Sequence, residues 1–191
     1  MNIISGIARG VKLEVPKGLD VRPTAIRVRK SLFDSLRVFQ NLTIVDLFSG
    51  IGALGLEAAS RGAGDVYFVE SSSENCRFIE KNIQKLKRAG VKAKMNVVKC
   101  DAMRVYDRLP ELSGKVDIIF ADPPYNMAEA ITKNLFGSER FIEWTGNALF
   151  ILESPSETGR KPDSKDLDLW NTKKCRKLGQ SIFYFLTTTK I

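Results

Sequence analysis

Histidine is absent from this 191-residue chain. That removes Ser-His-Asp and Cys-His nucleophilic catalysis, and with them the usual histidine metal sites. Cysteine is scarce: Cys76, Cys100 and Cys175 are scattered and never spaced as CxxC. Neither a disulfide framework nor a zinc knuckle is expected, nor any metal, and a reducing cytoplasm is the natural compartment. Apolar runs stay short of the roughly 18 residues that cross a bilayer. The N-terminus MNIISGIARG lacks the apolar stretch of a signal peptide, so no membrane partner is expected. Disorder is not expected either, since 43% hydrophobic and 27% charged residues are ordinary for a soluble domain with a sizeable core.

Positive charge is in excess, and it is unevenly placed. The formal net charge is +8. Residues 1–41 hold eight Lys/Arg against three acids, and residues 173–191 hold five against none, so each end carries +5. The body between them, with 17 bases and 19 acids, carries −2. Clustered Lys/Arg gain affinity for a polyanion by releasing its condensed counterions. On charge alone, a nucleic-acid partner and a merely solvated basic surface are equal readings.

Short apolar runs recur at residues 43–48, 65–70, 95–100, 116–121 and 148–153. Between them lie stretches of helical period, such as the stripe Phe78, Ile79, Ile83 and Leu86. Strands without polar alternation, alternating with helices, predict an α/β fold with a doubly wound parallel sheet covered on both faces. Its ligand edge lies at the ends of the strands. SIFYFLTTT (181–189) reads as a further strand, paired antiparallel with residues near Lys174–Leu178. The first 41 residues break the pattern: IISGI and KLEVP read as short strands around Ala8-Arg9-Gly10, and a helix is predicted over Ala25–Phe39 with Thr24 as N-cap. The chain therefore divides into a basic N-terminal extension (1–41) and a main domain (42–191). The polar stretch SPSETGRKPDSKDLD after Glu153 reads as a loop.

After the first strand comes Asp46-Leu47-Phe48-Ser49-Gly50-Ile51-Gly52-Ala53-Leu54-Gly55, a literal GxGxxG with Glu70 twenty residues beyond Gly50. A structural reading, glycines for a tight turn and close packing, competes with a nucleotide site. Asp46 argues about which nucleotide. A carboxylate four residues before Gly50 would repel a pyrophosphate, so NAD or FAD fits poorly. S-adenosylmethionine fits better: its sulfonium and ammonium are drawn to Asp46, and Glu70 can accept from the ribose hydroxyls. The loop amides can face the methionine carboxylate. Asp101 is placed to meet the adenine amine or, equally, to cap the helix starting near Met103. Phe48, Leu54 and Ala102 are assigned to the same pocket.

The fourth strand runs into Asp122-Pro123-Pro124-Tyr125. Two prolines leave the ladder and stiffen a turn at the ligand edge. The Asp122 carboxylate and the Pro123 carbonyl are two acceptors for the two N–H bonds of an amine on a planar ring, and Tyr125 offers a stacking face. Holding both hydrogens favours a pyramidal nitrogen whose lone pair points at a sulfonium methyl. Asp122 can take the departing proton, so histidine is not needed. The bland reading is an Asp-Pro turn that ends a strand.

VDLFSGIGALGLEAASRGA (45–63), VYFVE (66–70), DIIFADPPY (117–125) and RPTAIRVRKSLFDSL (22–36) resemble the bacterial 16S ribosomal RNA guanine-N2 methyltransferases that modify guanine 966. The resemblance covers most of residues 1–153 in the same order. It implies a Rossmann-like class I methyltransferase: a seven-stranded, mostly parallel sheet with a C-terminal antiparallel hairpin and a small N-terminal β-hairpin and helix extension. It also implies S-adenosylmethionine as donor, S-adenosylhomocysteine as product, and the N2 amine of one guanine in small-subunit rRNA as acceptor, in the subunit or its assembly intermediate. Residue by residue, Asp46, Gly50, Gly52, Glu70 and Asp101 fall at cofactor positions and Asp122 through Tyr125 at the catalytic turn. Arg22, Pro23, Thr24 and Arg27 match the arm motif, joined by Arg9 and Lys12 for substrate binding. Val11 replaces a cation of the family's RGRKL, and Ile51 stands where a small hydroxyl residue is common. A monomer is the default. Adenine-N6 or glutamine-amide methylation, a non-catalytic RNA-binding module and an NAD-dependent dehydrogenase are the competing readings.

Overall fold

A computed structural model of the chain describes residues 1–16, 23–36, 38–124, 132–155 and 167–189. The apolar runs become strands β1 (Thr43–Leu47), β2 (Asp65–Glu70), β3 (Lys94–Lys99), β4 (Ile118–Ala121) and β5 (Leu149–Pro155). The C-terminal segment supplies β6 (Trp170–Leu178) and β7 (Ser181–Thr188). Together they form one seven-stranded sheet in the order β3-β2-β1-β4-β5-β7-β6. The first five strands run parallel, β7 is antiparallel to β5, and β6 is antiparallel to β7 with a register shift between Thr172 and Lys174. From β1 the chain winds outward to β3, then crosses back to β4 on the other side. The loops after β1 and β4 therefore diverge and leave a crevice between them.

Both faces of the sheet are covered, which is why its strands lack polar alternation. On one face Ile44, Phe68, Phe120 and Phe183 meet buried side chains of α1 (Pro23–Ser35), α2 (Ala53–Ser60) and α3 (Ser73–Arg88), among them Phe33, Leu56 and Ile79. On the other, Val45, Ile119 and Phe150 pack against Val105 of α4 (Val105–Arg108) and Phe141 and Trp144 of α5 (Glu139–Thr145). The edge strands are the exceptions: β3 has no fully buried residue, and β6 has only Trp170. Among the described residues no helix is long and apolar enough to cross a membrane.

The extension packs into the first of these cores through Ile3, Ala8, Leu13, Leu32 and Phe33. Its expected β-hairpin reduces to a single antiparallel bridge, Asn2 to Lys12. The segment turns tightly instead, the amides of Gly10, Val11 and Arg9 donating to Ile3 O, Ala8 O and Gly6 O at 2.9, 3.0 and 3.2 Å, while those of Ile4 and Ser5 donate to the Glu57 carboxylate at 2.8 and 3.0 Å. Helix α1 begins at Pro23, so Thr24 lies inside it rather than capping it; proline suits a first helical position, where its missing N–H costs nothing. The helix ends at Ser35, short of Phe39, and the turn lets the Phe39 ring stack on Phe33 with centroids 5.2 Å apart. In α3, Phe78 is only half-buried, and Asn82 joins Cys76, Ile79, Ile83 and Leu86 on the buried face. Strand β5 continues through Ser154 and Pro155, the first residues after Glu153 that the sequence marks as loop. Arg22, Tyr125 and the rest of that loop up to residue 166 lie outside the described residues.

Candidate active site

A cleft of about 750 Å³ opens at the C-terminal ends of the parallel strands. Its walls are Phe48 to Ile51 and Ala53 of the glycine loop, Glu70 after β2, Cys100 to Ala102 after β3, Asp122 to Pro124 after β4, and Glu153 from β5. Met1 and Pro16 of the extension also line it, so the segment carrying Lys12 stands at its rim.

The glycine loop owes its shape to backbone that few side chains tolerate. Gly52, at φ 83°, turns the chain into α2, and Phe48 holds a positive φ of 58° beside it. A Cβ at Gly55 would lie 2.5 Å from the Phe68 ring, so this glycine lets α2 sit against β2. Glu70 braces the loop: its carboxylate accepts from the Gly50 amide at 2.8 Å and the Ser72 amide at 2.7 Å. Each oxygen keeps a lone pair for a further donor. The Gly50 amide is thereby committed, and the Gly52 amide donates to Ser49 O at 2.7 Å, so neither is available to an anion. Ala53, which opens α2, has no intrahelical carbonyl to bond and is the better donor.

Asp46 does not reach the surface of the cleft. It lies beneath it, 2% exposed, with Oδ2 accepting the Gly55 amide at 2.9 Å. Burial raises its carboxyl to about 8, against the help of that amide and with a further push from Glu70. Asp122 opens onto the water of the cleft but stands deep among protein groups. That enclosure raises its pKa well above the ordinary value, and the charges of Glu153 and Asp46 add to the rise. Glu153 is also raised by burial, and a hydrogen bond from Ser181 Oγ, 2.5 Å from Oε1, works the other way. Among the described residues no Lys or Arg pairs with Asp46, Asp122 or Glu153. These acids and their neighbours form no group able to hold a metal ion among the described residues. The cleft thus gathers carboxyl groups without cationic partners among the described residues, and a ligand that is positively charged or rich in N–H donors would favour their ionised forms.

The structure thus brings Phe48, Gly50, Glu70, Asp101, Ala102, Asp122, Pro123 and Pro124 around one cavity. Gly52 and Leu54 do not line it: the first turns the loop, and the second, on α2, packs against the core. Asp101 lines the cleft and also caps the 3-10 turn Ala102–Arg104, accepting the Met103 amide at 3.0 Å. Arg9, Lys12 and Arg27 are exposed, whereas Arg29 is buried and donates to Asn2 O at 2.5 Å. Two wall elements escape a reading of motifs. Met1 and Pro16 reach the cleft only through the folding of the extension. Glu153 was legible as a position: each of the five parallel strands carries an acid within two residues of its C-terminal end (Asp46, Glu70, Asp101, Asp122, Glu153).

The family described as conserved hypothetical protein 95 matches residues 1–187. The chain is similar to the ribosomal RNA small subunit methyltransferase D of Escherichia coli strain K12, at 35% identity over 163 residues, 83% of this chain and 77% of that one. A solved structure titled a putative methyltransferase from Escherichia coli superposes with a TM-score of 0.73 at 30% identity, covering 98% of this chain and 97% of that one. A SAM-dependent methyltransferase from Aquifex aeolicus superposes with a TM-score of 0.61, covering 87% and 94% of the two chains; at 16% identity it speaks to the fold alone. The fold is that of the Rossmann-like class I methyltransferases.

Proposed function

The chain belongs to the family of the ribosomal RNA small subunit methyltransferases D, described as conserved hypothetical protein 95; from that premise we propose that it methylates the exocyclic N2 amine of a guanine in 16S rRNA, with S-adenosylmethionine as donor. One observation carries the reading. Asp122 and Pro123 border the same cleft as Glu70 and the glycine loop, and the acids around them have no cationic partner among the described residues. A ligand with a cationic tail and ribose hydroxyls answers both features.

S-adenosylmethionine supplies a methyl group on a positively charged sulfur. The residues of the chain do the rest. Glu70 receives the ribose hydroxyls on its two remaining lone pairs, and Asp101 faces the adenine. Asp46, beneath the floor, contributes its field rather than a contact, stabilising positive charge above it. The Asp122 carboxylate and the Pro123 carbonyl accept the two hydrogens of the guanine amine, which aims the nitrogen lone pair away from the ring plane. Tyr125 stacks on the base. As the new C–N bond forms and the methyl–sulfur bond breaks with its electron pair left on sulfur, the amine becomes acidic and Asp122 takes its proton, a task suited to a carboxyl held above its ordinary pKa. The exposed Arg9, Lys12 and Arg27, together with Arg22 and the basic strand β6, meet phosphates of the RNA. The protein works as a monomer in the cytoplasm, where its substrate is made.

The test is incubation with methyl-labelled S-adenosylmethionine and small subunits from cells lacking this protein, followed by digestion to nucleosides. Label in N2-methylguanosine is the expected result. Label in N6-methyladenosine would reassign the base, and no label, beside an active control enzyme, would refute methylation of the subunit.

A further inference from the structure

The carboxylate of Glu153 has a place in the cleft that the transfer itself does not use. Strands β4 and β5 are parallel, with Ala121 opposite Leu152. Asp122 and Glu153 are the next residues after that pair, close enough for the charge of one to act on the other. Both line the cleft. Ser181 Oγ donates to Oε1 of Glu153, and no other donor among the described residues reaches this carboxylate. It therefore presents a free acceptor oxygen next to the one that binds the amine.

We propose that Glu153 reads the N1–H of the target guanine while Asp122 and the Pro123 carbonyl hold its N2 amine, so that the two neighbouring carboxylates select the base. The proposal rests on the guanine-N2 reading above and explains it chemically. Among the amino groups of the RNA bases, only that of guanine has a ring N–H beside it. The amine of adenine is flanked by the N1 lone pair, and that of cytosine by the N3 lone pair. The amide nitrogen of glutamine is flanked by its own carbonyl oxygen. A carboxylate next to the amine site attracts the first and faces a lone pair in each of the others. Glu153 thus separates guanine from the other acceptors that an Asp-Pro-Pro-Tyr turn by itself takes equally.

The test uses the full-length protein and small-subunit rRNA assembled by ligation, carrying either guanosine or 2-aminopurine riboside at the nucleotide that the protein methylates. 2-Aminopurine keeps the 2-amino group but presents a lone pair at N1. The wild type is expected to prefer guanosine by about ten- to a hundredfold in kcat/KM, the range of one good base-edge contact. Glu153→Gln, whose amide can donate to that lone pair, is expected to shrink or invert the preference. Affinity for each RNA in the presence of S-adenosylhomocysteine, measured without turnover, should follow the same order. Equal methylation of the two RNAs by the wild type overturns the proposal with no variant needed. An unchanged ratio in a folded Glu153→Gln does so as well, because a residue that merely braced β5 would lower both rates together. Failure of the wild type to methylate even guanosine would instead overturn the guanine-N2 reading itself.

Discussion

Two groups of carboxylates, on the same face of one sheet, have opposite surroundings. Glu57 on α2 is completely buried, yet it accepts the amides of Ile4 and Ser5 and the Arg61 guanidinium at 2.9 Å. The charge of Arg29 lies close enough to feel it as well. Asp46, Asp122 and Glu153 receive between them one amide and one hydroxyl, and no cation among the described residues. Taking a carboxylate out of water costs several kcal/mol. Where donors and cations repay that cost, as at Glu57, the charge fastens the N-terminal extension to the domain. Where they are withheld, the same cost appears as carboxyls that cling to protons, and a bound cation or N–H donor can relieve it. Pairing, rather than burial, separates architecture from function in this molecule.

The comparison can be broken from its paired side first. Glu57→Ala leaves two amides without their acceptor and takes from Arg61 its closer carboxylate, leaving only Asp34 at 3.8 Å, and is expected to cost about 3–5 kcal/mol of stability. Denaturant unfolding would measure it, and a loss under about 1 kcal/mol would mean that the apolar packing alone holds the extension. On the unpaired side, Asp122→Ala is expected to lower kcat by about 10²–10³-fold. Calorimetry should find S-adenosylmethionine binding nearly intact in this variant, and full turnover would remove Asp122 from the reaction.

Asp46→Asn sharpens the contrast more gently. The wild-type carboxyl titrates near pH 8 when folded and at its ordinary value of 3.8 when unfolded. The unliganded folded state therefore binds the extra proton between these values, and the Asp46 contribution to stability is lost as pH rises through that window. The asparagine variant should have the higher Tm at pH 8, with the gap closing towards pH 4. A positively charged ligand favours the ionised form, so wild-type affinity for S-adenosylmethionine should climb by about tenfold between pH 6 and 8. It should be nearly flat in the variant, and a flat wild-type profile would exclude a role for Asp46 in holding the ligand. The smallest effect is expected at the rim: replacing Arg9, Lys12 or Arg27 by Ala should weaken RNA binding and flatten its salt dependence by about 0.7–0.9 for each phosphate no longer neutralised. An unchanged slope in a salt titration would mean that the side chain touches no phosphate.

The strands and the glycine loop were legible because their signals are local. The run VDIIFA with DPPY behind it needs no distant residue to be read as a strand ending at a stiff turn. Five runs without polar alternation foretold a sheet covered on both faces, and they formed one except at the edge strand β3. Where a distant group competed, local reading erred. The N-terminal segment gave its Ile4 and Ser5 amides to Glu57, more than fifty residues away, and formed a turn with one bridge rather than two strands. Helix α1 stopped at Ser35 so that Phe39 could return to Phe33, a contact its periodicity does not encode. Gly52 and Leu54 sit in the motif but do not line the cleft, because the first makes the left-handed turn into α2 and the helix then directs Leu54 to the core.

By itself the sequence determined the kind and order of the elements, the acid at the end of each parallel strand, and the turn whose two acceptors suit a planar amine. All of these follow from the steric and hydrogen-bonding habits of residues close together in the chain. Only the tertiary structure decided which acids would be satisfied. Glu57 found its donors on the extension, Asp46 sank below the cleft floor, and Glu153 came to stand beside Asp122 through the pairing of two strands about thirty residues apart. The energy of a carboxylate depends on what faces it across space, and a linear pattern does not carry that information.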